Sequence, residues 1–396
     1  MAQRQRRRRR STGIPNPVCP VDRYRGVELG KRVVLCRLGV NFCGTLQVDQ
    51  QRVIRLSSSI LGIALALAWP AAAQTAEGAG GGGRYGLPEP LARPPGTIRL
   101  VTYNLLNLFD HDDDPDLEGD HDDGKLAVSH ERGLKLAEAI RAVDADVIAL
   151  EEVESLEALR WFRDSYLPKA GYVHLASHDV GDLRGIECSV MSRFEITAQK
   201  IWTRTSLALD DIHRRGPGWA PVPERFRRGL IMKRSPLMVD LRTPSGYELT
   251  IVVVHHKAGR SFAFQREAEA VRVTQLIMDR TRRDPGRNIV VMGDFNAAPW
   301  DKSLRVYLEA GLIDTLAHRA TRGDAGRVFK THESNRILDY VLLNSAAHRE
   351  FVIGTAHIYG TLVPPTDYDW RKDPYPKDYA SDHYPVIIDL VPVDQH

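Results

Sequence analysis

The chain has 396 residues, 43% of them hydrophobic and 27% charged, which suits a large single domain or two smaller ones. Its net charge of +3 is uneven: residues 1–73 hold 13 Lys/Arg against 3 Asp/Glu, leaving 41 against 48 and a net −7 for residues 74–396. The mildly acidic body gives no charge argument for general nucleic-acid affinity, and its single cysteine, Cys188, excludes an internal disulfide there.

Residues 1–51 carry "RQRRRRR", the cysteines Cys19, Cys36 and Cys43, and no apolar periodicity. They read either as a disordered basic extension of a cytoplasmic protein or as sequence upstream of a true start near Val53. Residues 52–73 have a basic beginning, an apolar run from Ile60 to Trp69, and Ala71-Ala72-Ala73 before Gln74. That is the layout of a secretory signal peptide, so a periplasmic or secreted protein is expected. The run is shorter than the roughly 20 residues that span a bilayer, so no stable membrane span is expected. Residues 74–96 are rich in Gly and Pro and read as a linker.

Ordered elements begin after the linker. "TIRLVTYNLL" reads as a strand, "HERGLKLAEAIRAV" as a helix burying Leu136, Ile140 and Val143, and "ADVIAL" as a strand ending at Glu151-Glu152. "ELTIVVVHH" is a strand ending in two histidines, followed by the helix "FQREAEAVRVTQLIMDRTRR". "NIVVMGDFN" is a strand, "SLRVYLEAGL" a helix stopping near Gly311, and "ILDYVLLN" and "YPVIIDLV" are strands. Strands alternate with helices and no second linker intervenes, so residues 97–392 form one α/β domain. Cys188 has no catalytic pattern around it and reads as a plain buried thiol.

Polar residues recur at the strand ends: Asn104, Glu152, His255, Asp294 with Asn296, Asp339, and Asp382 with His383. Ligands of sheet-based α/β folds commonly bind beyond strand ends. Carboxylates, amides and histidines gathered there point to a hard divalent cation and a charged substrate, and the lack of Cys or dense His clusters argues against structural zinc. Asp294 and Asn296, two apart on an extended segment, face the same side; the plainer reading is a turn stabilised by Asx hydrogen bonds. Alternation likewise turns one of Glu151 and Glu152 away from the site.

Two charged segments stand apart from this pattern. Asp110 to Asp123 hold nine acidic residues without EF-hand spacing, a solvated loop or a Ca²⁺ site at 110–123. "HRRGPGWAPVPERFRRGLIMKR" holds Arg214, Arg215, Arg225, Arg227, Arg228, Lys233 and Arg234 with Trp219 and Phe226, a substrate-contact patch or a solvated basic face.

"TYNLLNLFD", "DVIALEEVE", "VVVHHKAG", "VVMGDFNAAP", "LDYVLLN" and "SDHYPV", in this order over about 97–392, resemble the motifs of the endonuclease/exonuclease/phosphatase superfamily, the DNase I-like fold. The resemblance implies a four-layer α/β sandwich, two packed mixed β-sheets flanked by helices, and Mg²⁺- or Mn²⁺-dependent cleavage of a phosphate ester. It implies Glu152 as main metal ligand, with Glu151 where the family usually has Gln. Asn104 would help hold the metal or its waters, and Asp382 would lie beside it. Asp294 would orient or deprotonate the attacking water and Asn296 would donate to the phosphate. His383, paired with Asp339, would be the general base or proton-transfer histidine. His255, or its neighbour His256, would contact the phosphate or protonate the leaving oxygen; the Asn that usually precedes it is missing. Arg184, in the "RGI" segment, with Arg227 and Arg228, would reach the substrate.

The resulting expectation is a metal-dependent phosphodiester hydrolase, foremost an extracytoplasmic nuclease, with no protein partner evident. A sphingomyelinase-like or inositol-phosphate-type phosphoesterase is the alternative enzyme. A non-catalytic binding protein on the same fold is the alternative class, disfavoured because every motif position holds a chemically competent residue.

Overall fold

A computed structural model describes residues 85–112, 126–207, 217–226, 229–316, 326, 328–361, 369, 372–373 and 379–394. All lie in the unit Gln74–His396. The expectations for residues 1–51, for the signal at 52–73, for linker residues 74–84, for 113–123 of the acidic loop, and for Arg214, Arg215, Arg227 and Arg228 fall outside the described residues.

In chain order the elements are β1 (Ile98–Leu108), α1 (His130–Val143), β2 (Val147–Val153), α2 (Leu156–Tyr166), β3 (His174–Ser177), β4 (Glu187–Ser192), β5 (Glu195–Lys200), β6 (Ser206–Leu207), β7 (Leu230–Ile231), β8 (Leu237–Arg242) and β9 (Glu248–His255). They continue as α3 (Ala263–Arg283), β10 (Asn288–Asp294), α4 (Lys302–Glu309), β11 (Ile313–Asp314), β12 (Asp339–Leu343), α5 (Ser345–Glu350), β13 (His357–Ile358) and β14 (Val386–Leu390). One six-stranded sheet runs β13–β14–β1–β2–β4–β3 and the other β11–β12–β10–β9–β8–β5, while β6 and β7 form a small ribbon. Both large sheets are mixed: β1 is parallel to β2 and antiparallel to β14, and β10 is parallel to β9 and antiparallel to β12.

Burial on both faces explains the unbroken apolar runs of the central strands. Leu100, Ala149, Val290, Met292 and Val386 pack in the core between the sheets. The alternate residues face outward: Val101, Ile148 and Ile387 pack under α1 and α2, and Ile289 and Val291 pack under α3 and α4. This makes four layers, helix–sheet–sheet–helix, as the resemblance implied. Each fully buried Val or Leu adds about 1.5–3 kcal/mol of burial energy, so the strand centres fix the register of their ends.

Several elements went unread in the sequence. Helix α2 buries Leu159, Phe162 and Tyr166 at helical spacing, and the Ser155 hydroxyl caps it by accepting from the Ala158 amide at 2.9 Å. Strand β5, "EITAQK", is a mostly exposed edge strand whose only apolar alternation is Ile196 and Ala198. Within the expected linker, residues 85–96 are tied to the body: Leu87 N–H donates to the Ile358 carbonyl and Gly360 N–H donates to that of Leu87.

Candidate active site

The parity that fills the inter-sheet core also builds the site. On β1, positions 98 and 100 face the core, so Asn104 continues the same face. On β9, Leu249, Ile251 and Val253 lead to His255; on β10, Val290 and Met292 lead to Asp294. On β12, Val341 and Leu343 share the parity of Asp339. The polar residues therefore cap one end of the space between the sheets, and Asn104, His255, Asp294 and Asp339 are all buried.

Glu152 arrives differently. The pairings of β2 with both β1 and β4 shift register around it, and its backbone is left-handed, φ 64°. A β-bulge thus inserts Glu152 as an extra residue. Glu151 keeps the alternation and turns into the core, where its Oε1 accepts from the Thr102 hydroxyl at 2.8 Å. The glycine of "GDFN" has a steric reason: Gly293, φ 138°, lies where a Cβ would come 2.0 Å from the Val254 carbonyl oxygen. Only glycine lets β9 and β10 approach closely enough to bring His255 and Asp294 side by side. Fully buried Arg132 donates to the carbonyls of Leu105, Leu106 (2.8 Å) and Ala380 (3.1 Å), pinning the end of β1 to the segment before Asp382.

The hydrogen bonds sort the site into groups. His383 Nδ1 faces both Asp339 oxygens at 2.9 and 3.0 Å, and its Nε2 lies 4.0 Å from Asp294 Oδ2 and from Asp382 Oδ1. Asn104 Nδ2 donates to Asp294 Oδ2 at 3.4 Å, while its oxygen accepts from the Leu106 amide at 2.9 Å. The Asn296 backbone donates to Asp294 Oδ1 and its side-chain amide to Oδ2, both at 2.8 Å. Asn296, with a left-handed backbone (φ 48°), thus closes an Asx turn on Asp294 instead of continuing an extended segment, and its side-chain amide is engaged by Asp294 and by the His256 carbonyl. Arg184 spans Glu152, with Nη1 at 3.3 Å and Nη2 at 3.1 Å, and reaches Asn107 Oδ1 at 2.5 Å.

His255 and His256 separate cleanly. His256 faces away, to the Tyr307 hydroxyl at 2.8 Å and Glu269 at 3.3 Å. His255 Nε2 lies 3.6 Å from Glu152 and from Asp294 and takes a 2.6 Å hydrogen bond from Arg234 Nη1. With Nε2 accepting, the ring proton sits on Nδ1, so His255 is not set to release a proton from the atom that faces the site. Burial, then Arg234 and Arg184, holds its pKa well below the ordinary value.

The carboxyls differ in the same way. Burial works to raise Glu152, but Arg184 and Arg234 outweigh it and lower its pKa. Burial likewise opposes the ionised form of Asp382, yet the hydrogen bond from His332 and the charge of His383 hold it at about 2. Asp294 goes the other way: burial, against the pull of His383, pushes it up to about 7. Burial would lower His383, but Asp339 dominates and raises it well above the usual range. Burial and then Asp339 push Glu151 well up, so this residue is a neutral acid in the place of the family's Gln.

The donor set fits a hard divalent cation. Asp382 Oδ1 belongs to an ionised carboxyl, is shielded from solvent, and has no hydrogen-bond partner. Oxygen donors of this kind suit Mg²⁺ or Mn²⁺.

Of the two readings of the basic segment, substrate-contact patch or solvated face, Arg234 does not fit the solvated face: it is buried against His255, while His332, which the sequence did not single out, is set against Asp382. Arg234's signal was its place at the end of the basic segment just before β8. His332 had none, since it lies in a turn without periodicity.

The model of the Endonuclease/Exonuclease/phosphatase family matches residues 101–383. The chain belongs to this family. Its members are hydrolases acting on phosphoesters. No curated protein matches the chain. Among solved structures, the human nocturnin catalytic domain with bound sulfate is 18% identical, with 74% of this chain and 94% of that chain covered and a TM-score of 0.48. An endonuclease/exonuclease/phosphatase family protein from Bacteroides thetaiotaomicron is 17% identical, covering 77% and 99%, at 0.46. A mannosyl-6-phosphatase from the same organism is 17% identical, covering 74% and 99%, at 0.44. No helix among the described residues is long and apolar enough to cross a membrane.

Proposed function

We propose that the protein is a divalent-metal-dependent phosphodiesterase that cleaves nucleic acid outside the cytoplasm. The observation that carries the chemistry is the division of carboxyls around one space: Glu152 and Asp382 held ionised, Asp294 drawn toward keeping a proton beside the His383–Asp339 pair. Glu152 and Asp382, with Asn104 beside them, would hold Mg²⁺ or Mn²⁺. The bound ion would withdraw charge from a phosphate oxygen and offset the charge on the leaving group. Asp294, poised near neutrality, accepts a proton from the attacking water. Asp339 fixes the His383 tautomer and stabilises its imidazolium, which leaves His383 Nε2 as the proton donor to the leaving oxygen. Arg184 and Arg234 bring fixed positive charge to the phosphate.

The nucleic-acid reading draws on the basic segment, where exposed Arg225 and Lys233 flank half-buried Trp219 and Phe226. The secretory layout of residues 52–73 supports a periplasmic or secreted location. A second reading, a sphingomyelinase-like or inositol-phosphate-type phosphoesterase, draws on Arg184 and Arg234, since two guanidiniums suit a head-group phosphate and best the dianionic terminal phosphate of an inositol phosphate.

The test is hydrolysis of plasmid DNA, structured RNA, sphingomyelin and inositol phosphates with Mg²⁺, Mn²⁺ or EDTA, with Glu152→Ala and His383→Ala as controls. EDTA-sensitive cleavage of nucleic acid, lost in both variants, is the expected result. Turnover of head groups alone moves the protein to the second reading. N-terminal sequencing of the exported protein is expected to begin at Gln74.

A further inference from the structure

The turn before β12 touches the proton-handling residues from three directions. The Thr331 hydroxyl accepts from the Leu338 and Asp339 amides at 2.9 and 3.1 Å, and the Thr331 carbonyl accepts from Tyr384 N–H at 2.8 Å. Glu333 N–H donates to the Asp382 carbonyl at 2.9 Å. His332 forms an antiparallel bridge with His383, and their rings meet edge to face with centroids 4.5 Å apart. The side chain of His332 sets its Nε2 3.4 Å from Asp382 Oδ2.

Ser334 decides which nitrogen of His332 carries the proton. Its backbone N–H donates to His332 Nδ1 at 2.9 Å. A ring nitrogen that accepts has no proton of its own, so the proton is on Nε2 and points at Asp382. His332, Asp382 and His383 also offer ligand atoms within 4.8 Å of one another, as a three-ligand metal centre would. A protonated Nε2 cannot ligate a metal, so the cluster is a carboxylate held by a histidine donor. Asp382 is then differentiated: Oδ2 faces the His332 Nε2–H at 3.4 Å, while buried Oδ1 has no hydrogen-bond partner.

We propose that His332 is a positioning residue for Asp382, fixing Oδ2 through its Nε2–H and leaving Oδ1 as the oxygen for a divalent cation. The inference rests on the metal-dependent reading above. Partners of this kind, one shell beyond a metal, are worth about 10–100-fold in affinity or activity.

Mn²⁺ alone, titrated calorimetrically into the full-length protein, tests it. His332→Ala removes the donor; His332→Gln supplies an amide N–H at the position of Nε2. The expected result is Mn²⁺ binding weakened about 10–100-fold in His332→Ala and largely recovered in His332→Gln. Thermal unfolding checks that both variants are folded. Saturating Mn²⁺ should return much of the lost hydrolysis to His332→Ala, a recovery that a damaged scaffold would not show. Long-range ¹H–¹⁵N spectra should find the His332 proton on Nε2. Equal Mn²⁺ affinity in wild type and His332→Ala, or the proton on Nδ1, overturns the inference and leaves the hydrolase reading standing. No Mn²⁺ binding by the wild type overturns both.

Discussion

The sheet containing β1, β2 and β14 and the sheet containing β9, β10 and β12 bring carboxyls to the same space and treat them oppositely. Beside the first sheet, Arg184 and Arg234 outweigh the burial of Glu152, and His332 and His383 outweigh that of Asp382, so both are held ionised. On the second, burial dominates at Asp294 and pushes it up to about 7. Cations outweigh burial at Glu152 and Asp382 and fail to do so at Asp294, which makes one half suited to bind a metal and the other suited to move a proton. Environments that drive like groups apart are how one site holds both an acid and a base.

The largest expected effect tests the proton half. Asp294→Asn should cut hydrolysis by about 10²–10⁴-fold at saturating Mg²⁺, the usual weight of a general base. Steady-state rates across a Mg²⁺ series would check this, and a rate close to wild type would end the division. The seam that builds that half is the next target. Gly293→Ala, with its Cβ 2.0 Å from the Val254 carbonyl oxygen, should cost about 4 kcal/mol or more in denaturant unfolding. A stable Gly293→Ala protein would mean that the close approach of β9 to β10 is not needed.

Glu187, on β4 of the first sheet, sharpens the contrast because its burial outweighs the Val180 amide and the charge of Arg234 and pushes it up from 4.5 to about 9. The folded state therefore holds a proton that the unfolded chain loses between about pH 4.5 and 9, and stability falls as pH rises through that window. Glu187→Gln should flatten this slope and be more stable than wild type by about 3 kcal/mol at pH 7. Unfolding free energies measured from pH 5 to 9 would show it; parallel curves for the two proteins would contradict it. The smallest effect belongs to Glu151→Gln. Glu151 is already neutral in the core, so hydrolysis should stay within about tenfold of wild type, while Glu152→Gln should abolish it. Equal losses in the two would show that the bulge does not separate them.

Much of this was legible in the chain. The runs ending at Asn104, His255 and Asp294 are buried on both faces, and their parity carries the site residues onto the inter-sheet face. What stayed hidden has physical reasons. Alternation predicts that Glu151 and Glu152 point apart, but not that a bulge in the left-handed region aims Glu152. Edge strand β5 has only Ile196 and Ala198 for an apolar stripe, and α2 follows β2 too closely to stand out from it. Arg234 and His332 depend on partners about twenty and fifty residues away, which no local periodicity encodes.

Mn²⁺ titration into Glu152→Gln and Asp294→Asn, side by side with wild type, tests the division most directly. The account predicts that Asp294→Asn binds Mn²⁺ about as well as wild type while failing in hydrolysis, and that Glu152→Gln loses both. Loss of Mn²⁺ binding in both variants alike, or undiminished binding by Glu152→Gln, would contradict it.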